Sequence, residues 1–174
     1  MAELSREHVR QELLAAVDSY RALLAAATLP QLRRRTNGTR WTNRQMLFHL
    51  LLGYLVVRVL MPLVSLVNRL PPWVWRGFVT ALNASARPFH FVNYLGSALA
   101  GNTLSLPTMA RLFDRTCAVL ADRLDRATDA ELARRIPFPP RWDPFFTDHM
   151  SLLDIYHYPW QHDEFHRRQL TLGR

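Results

Sequence analysis

Apolar residues recur with the period of an α-helix along nearly the whole chain, and prolines and glycines separate the helical stretches. No run of alternating apolar and polar residues predicts a β-strand. With 174 residues, 49% of them hydrophobic, the chain is long enough to bury one core and short enough for a single domain, residues 1–174. The sequence therefore predicts an all-α fold with one helical core.

Capping residues place the four long helices of this fold. The first is expected to start after Ser5 and to end before Pro30, and the second to start at Thr42 and run toward Pro62. Ser105 is a suitable cap for the third. The fourth is expected to start at Thr147.

The connections between these helices carry most of the prolines. Residues 62–102 are predicted to form an irregular, partly helical insertion between the second and third helices. Thr128 and Glu131 predict a capping box for a short helix, and residues 138–146 predict a loop. Pro159 predicts a kink or a break within the last helix.

The charge of the chain comes from arginine alone, because all 22 basic residues are arginines, and the formal net charge is +8. Such a charge permits phosphate or anionic lipid partners. The basic runs at 33–35, 134–135 and 167–168 are short and scattered, which disfavours nucleic-acid binding as the main function. The single cysteine, Cys117, excludes an intrachain disulfide, and without a recognisable export signal a cytoplasmic location is expected.

The segment from Met46 to Val67 is long and apolar enough to cross a bilayer. Arg58 near its middle would cost roughly 2.5–3.5 kcal/mol there, and His49 and Pro62 add to that cost. A buried helix of a bundle is the preferred interpretation. Peripheral membrane contact stays open, through a tract that combines aromatic residues with arginines: Trp73, Trp75 and Phe78 beside Arg69, Arg76 and Arg87.

Histidines carry the strongest functional signal. His162 and His166 are four residues apart, so on a helix both imidazoles face one point, and His49 is the best candidate for a third ligand. Taken alone, such a pair is more often part of a solvated helix face, and a lone histidine in an apolar helix is commonly a core residue. His157 would point about 140° away from His162 on a regular helix. His8, His90 and His149 are assigned no role.

Two segments give these histidines a context. Residues 41–50, WTNRQMLFHL, and residues 162–170, HDEFHRRQL, resemble the two signatures of the DinB-like superfamily. The resemblance implies a four-helix bundle with up-down-down-up topology. It also implies that His49, His162 and His166 bind zinc, nickel or a similar divalent ion, and that Gln169 supports the site by hydrogen bonding. Residues 62–102 exceed what a minimal member requires.

Two other metal sites are excluded by spacing. A zincin needs a glutamate directly after its first histidine, whereas Glu164 stands two places after His162 and about 200° around the helix. A di-iron bundle needs inward carboxylates, and no acidic residue lies near His49 in the sequence.

Two functional hypotheses remain. In the first, the protein is a metal-dependent thiol transferase or related small-molecule enzyme that uses mycothiol, bacillithiol or glutathione, as some members of the resembled superfamily do. In the second, it is a stress-related, non-enzymatic bundle whose metal is structural and whose segment 62–102 binds a lipid, a membrane surface or a partner. An open metal position beside the 138–146 loop would favour the first. Cys117, among apolar neighbours, is expected to be structural, and a homodimer is left open.

Overall fold

The computed structural model describes residues 4–67 and 71–172, which form eight helices and one two-stranded sheet. Arg69 of the aromatic and arginine tract lies outside these residues. The elements are, in chain order, α1 Arg6–Ala26, α2 Leu29–Arg33, α3 Asn43–Val67, α4 Pro72–Ala84, α5 Ala86–Thr103, α6 Leu106–Arg126, α7 Asp129–Ala133, β1 Arg135–Pro137, β2 His149–Ser151 and α8 Leu152–Arg167. The all-α prediction is confirmed.

The four long helices α1, α3, α6 and α8 form the bundle, and their contacts fix its directions. Arg10 of α1 pairs with Asp125 near the end of α6, whereas Arg21 pairs with Asp114 near the start of α6. These two helices therefore run antiparallel. Buried apolar side chains from all four helices fill the space between them.

Helices α3 and α6 run in the same direction. The ring of Tyr54 contacts that of Phe113. Further toward the C-terminus of both helices, the guanidinium of Arg123 donates to the carbonyl of Arg58. Because α3 and α6 are consecutive long helices of the bundle, the chain must return along its length between them.

Helix α8 runs parallel to α1. Glu12 and Ser19 of α1 contact His157 and Arg167 of α8, respectively, so the contacts advance together along both helices. With α1 antiparallel to α6 and α6 parallel to α3, the order is up-down-down-up, as the sequence resemblance implied.

Residues 62–102 form the predicted insertion and are more regular than expected, because α4 and α5 fill most of this segment. Pro72 stands in the first turn of α4 and Pro88 near the start of α5, where a proline removes no intrahelical hydrogen bond. Gly101 allows α5 to approach α3, since a Cβ at this position would lie 2.7 Å from the Cα of Gln45. These residues start or pack helices and do not break them.

Three smaller predictions about the C-terminal half also need correction. The last helix begins after Ser151, which caps it together with Asp154, and not at Thr147. The strands β1 and β2 pair antiparallel, and three residues each are too few to show an alternating pattern. Helix α8 continues through Pro159 without a break. The caps at Ser5, Ser105 and Thr128 are confirmed.

Helix α3 is long and apolar enough to span a membrane over Asn43–Leu66, with a mean hydropathy of 2.1, but more than half of its most apolar stretch is buried inside the protein. Its side chains contact α5, α6 and α8. The structure is thus a helical domain with one buried apolar helix.

Helix α3 also continues through Pro62, where the sequence predicted its end. Proline has no N–H, so the carbonyl of Arg58, four residues earlier, lacks its intrahelical donor. Arg123 of α6 supplies a donor, because its Nη1 lies 2.6 Å from that carbonyl oxygen. A contact between helices therefore replaces the hydrogen bond that Pro62 removes.

We expect replacement of Arg123 by methionine to lower the free energy of unfolding by about 1–2 kcal/mol, because it leaves this carbonyl without its charged donor. Urea denaturation followed by circular dichroism measures the change. The control is Arg126→Met, since Arg126 is exposed and pairs only with the neighbouring Asp122 on its own helix turn; its effect should stay within about 0.5 kcal/mol. Equal effects of the two substitutions would contradict the role of Arg123.

Candidate metal centre

Three histidines from two helices meet inside the bundle. His49 lies on α3, and His162 and His166 lie one turn apart on α8. Their candidate ligand atoms lie within 4.8 Å of one another. His49 and His162 are buried and His166 is half-buried. No carboxylate or thiol joins this group within the described part of the chain.

A glycine allows α3 and α8 to come this close. Gly53 is one turn after His49 on the same face of α3, and a Cβ at this position would lie only 2.8 Å from Nδ1 of His162. Any larger residue would displace the imidazole of His162. An isolated glycine within an apolar helix is a known sign of close packing, but the sequence interpretation did not use it.

Two of the imidazoles are held by hydrogen-bonding side chains. Nδ1 of His166 lies 2.8 Å from Oε1 of Gln169, the residue predicted to support the site, and Nδ1 of His49 lies 3.2 Å from Oγ of Ser97. Because Gln169 Oε1 can only accept, Nδ1 of His166 donates to it and Nε2 keeps its lone pair. Ser97 is fully buried on α5 and was not predicted. The insertion therefore contributes directly to the site.

Burial favours the neutral form of all three imidazoles. Burial, and then the proximity of His166, lowers the pKa of His49 to about 3. Burial and both neighbouring imidazoles hold the pKa of His162 well below its usual range, and burial also lowers the pKa of His166. A neutral imidazole is the form that binds a metal ion.

The donor set fits a divalent ion. Nδ1 of His162 is buried and has no hydrogen-bond partner among the described residues, although a buried polar atom is normally satisfied. Three neutral nitrogen donors whose candidate ligand atoms lie within 4.8 Å of one another suit zinc or nickel chemistry.

Asp143 adds a carboxyl group near the cluster, from the loop at residues 138–146. Its Oδ2 accepts a hydrogen bond from the Tyr158 hydroxyl at 2.9 Å, and its Oδ1 accepts one from the backbone N–H of Phe145 at 3.0 Å. Burial raises the pKa of Asp143, and the charge of Asp143 partly offsets the lowering of the pKa of His166 by burial. Nothing in its local sequence distinguished Asp143 from an ordinary loop residue.

The other singled-out residues lie elsewhere. His157 is directed to α1, where its Nδ1 lies 2.7 Å from Oε2 of the buried Glu12, and His8 contacts the same carboxylate. Cys117 is buried on α6, where burial raises the pKa of its thiol. A structural role for Cys117 agrees with its environment.

Replacement of His49, His162 or His166 by alanine is expected to deplete the purified protein of metal, because each removes one of three donors. Loss of a mere supporting contact commonly weakens metal binding about 10–100-fold, so loss of a donor should have at least that effect. Elemental analysis after dialysis measures the ion content.

His157→Ala is the matched control, since His157 lies on the same helix as His162 but binds Glu12. It should keep the metal content of the original protein. Full occupancy in His162→Ala would exclude the three-histidine site.

A family model described as the DinB superfamily matches residues 7–170. No curated protein and no solved structure matches the chain significantly.

Proposed function

The chain belongs to the DinB superfamily, and from this premise we propose that it is a metal-dependent enzyme acting on a small molecule, with His49, His162 and His166 as ligands of one divalent ion. Zinc is the first choice and nickel the second, because three imidazoles suit both. A low-molecular-weight thiol such as mycothiol, bacillithiol or glutathione is the proposed co-substrate.

The observation that carries this proposal is the incomplete ligand set. Structural zinc sites are closed by four protein ligands, whereas catalytic sites use three and leave a position for substrate. Only three donors meet here among the described residues, and two of them, His49 and His162, face a cavity. An ion bound there would act as a Lewis acid toward a thiol or a water molecule.

The chain supplies a proton acceptor at the same place. Asp143 lines the cavity together with His49 and His162. Its raised pKa brings the carboxyl group closer to neutral pH than an exposed aspartate, which favours proton exchange with a substrate. The hydroxyl of Tyr158 and the N–H of Phe145 fix its orientation.

A cobalt-substituted protein tests the thiol hypothesis. If the ion has an exchangeable position, a thiol should bind it as the thiolate, because a divalent cation favours deprotonated sulfur. Titration with mycothiol, bacillithiol and glutathione should then produce a saturable sulfur-to-cobalt band in the near ultraviolet for at least one of them. The His157→Ala protein should give the same band, and the His166→Ala protein none. A fully loaded site whose spectrum no thiol changes would remove the basis of the transferase hypothesis.

A second candidate function, non-enzymatic binding to a membrane surface, is favoured by the outer face of the insertion. Exposed apolar side chains line the side of α5 that faces away from α3, namely Phe91, Val92, Leu95 and Leu99. On α4, Trp73 is 71% exposed. No acidic residue occurs between Asp18 and Asp114, whereas Arg76 and Arg87 are exposed on α4 and α5. An apolar face on helices that carry arginine and no acidic residue complements an anionic bilayer surface.

Co-sedimentation with vesicles tests this second candidate. The protein should bind vesicles that contain phosphatidylglycerol more strongly than vesicles of phosphatidylcholine alone, and Phe91→Ser should weaken that binding because it removes an inserted aromatic ring. Leu14→Ser is the control, since Leu14 is an exposed apolar residue on α1. Binding that is independent of lipid charge, or an equal loss in both variants, would exclude this surface.

A further inference from the structure

The cavity that reaches the histidine cluster is enclosed by the insertion. It has a volume of about 150 Å³ and lies between α3, α4, α5 and the loop at residues 138–146. Most of its wall is apolar, including Val56 on α3, Phe78 and Val79 on α4, and Phe89 on α5. His49 and His162 lie in the same wall, whereas His166 does not.

The polar groups of the wall are few. They comprise the two imidazoles, the carboxyl of Asp143, the amide of Asn93, the hydroxyl of Tyr158 and the indole N–H groups of Trp75 and Trp142. None of the described arginines lines the cavity, although the chain has a large excess of arginine. Apart from the ion proposed at His49 and His162, this wall therefore offers no cation for a carboxylate or phosphate group, and the carboxylate of Asp143 repels such a group.

The size of the cavity limits the ligand. An apolar protein cavity of about this volume accommodates a benzene molecule. A single six-membered ring or a chain of about six carbon atoms is thus the largest apolar group that fits without rearrangement. Sugar-containing thiols such as mycothiol are larger and far more polar than this space.

The wall is held closed by contacts between the loop and the insertion. Nε1 of Trp142 donates to the carbonyl of Leu82 at 2.6 Å, and the Trp142 ring stacks on that of Phe89 with 4.0 Å between centroids. The N–H of Arg141 also donates to Oδ1 of Asn83. These contacts keep the loop against α4 and α5, so that the loop and the insertion together form one side of the cavity.

We propose that this cavity binds the substrate of the metal centre, and that this substrate is an uncharged molecule with one aromatic ring or a short alkyl chain and a hydrogen-bond-donating head group. The assignment rests on the proposed enzymatic function. The apolar body lies among the side chains of α3, α4 and α5. The head group lies beside His49 and His162 and donates to the carboxylate of Asp143, which is placed to accept its proton.

Two fluorinated probes of equal size test the ligand class. 4-Fluorobenzyl alcohol has an uncharged, donating head, and 4-fluorobenzoate carries a carboxylate. Ligand-observed fluorine NMR with metal-free protein is expected to show saturable binding of the alcohol and at least about tenfold weaker binding of the benzoate, since no metal ion is then present to attract the anion. Equal binding of both probes, or no binding of the alcohol, would overturn the proposal.

A cavity-filling substitution locates the binding site. Val79→Phe places a ring in the cavity and should weaken binding of the alcohol at least about tenfold. Val92→Phe is the matched control, because Val92 lies on the exposed outer face of α5, and it should leave binding unchanged. Val56→Phe fills the cavity from α3 and serves if the first variant does not fold, as judged by circular dichroism. Unchanged binding in a folded, filled variant would place the alcohol elsewhere.

Metal content is measured in parallel on each protein as purified, before the ion is removed for the NMR experiment. A protein that holds one ion but does not bind the alcohol refutes the substrate class and leaves the metal centre intact. A protein that binds the alcohol in the cavity but holds no ion refutes the metal-dependent function instead. The two failures are therefore distinguishable.

Discussion

The parallel arrangement of α3 and α6 is the constraint on which the rest of the structure depends. Two consecutive bundle helices that run in one direction require the chain to travel back along the bundle between them. A bare loop of this length would leave much of its backbone unsatisfied, and helices satisfy it internally. Helices α4 and α5 make up this return segment. Helix α5 runs antiparallel to α3, as two contacts show: Ser97 lies beside His49, and the later Gly101 packs on the earlier Gln45.

The return helices also shape the site. They bring Ser97 to the imidazole of His49, and together with α3 and the 138–146 loop they enclose the cavity beside it. The same helices present an apolar outer face with no acidic residue. The return of the chain, the cavity beside His49 and the apolar outer face thus all depend on residues 62–102, the insertion that a minimal bundle would not need.

Local signals in the sequence predicted most of the helices, and they singled out the three histidines that the structure brings together. Caps such as Ser105 and Thr128 form hydrogen bonds within one helical turn, so they can be recognised from neighbouring residues. The spacing of four residues between His162 and His166 likewise predicts that both side chains lie on one face of the helix. The match of residues 7–170 to the DinB superfamily confirmed the family that two short segments had suggested. The metal-binding role of the three histidines stays a prediction.

Contacts between distant segments explain what the sequence could not predict. Pro62 signals a helix end, and only the packing of Arg123 against the carbonyl of Arg58 shows why the helix continues. Asp143 and Ser97 look ordinary in their local context, and their importance follows from which helix or loop lies opposite. The role of Gly53 also depends on a distant segment, because it leaves space for the imidazole of His162 on another helix.

The three histidines are placed differently with respect to the cavity. The apolar cavity reaches His49 and His162, whereas the half-buried His166, with Gln169 as its hydrogen-bond partner, lies outside the cavity wall. A cavity of about 150 Å³ cannot admit a large polar thiol. Under the proposed function such a thiol approaches the ion from the side of His166, and the uncharged substrate approaches through the cavity. Two reactants would then meet at one ion without competing for the same space, which is the arrangement that a transfer between them requires.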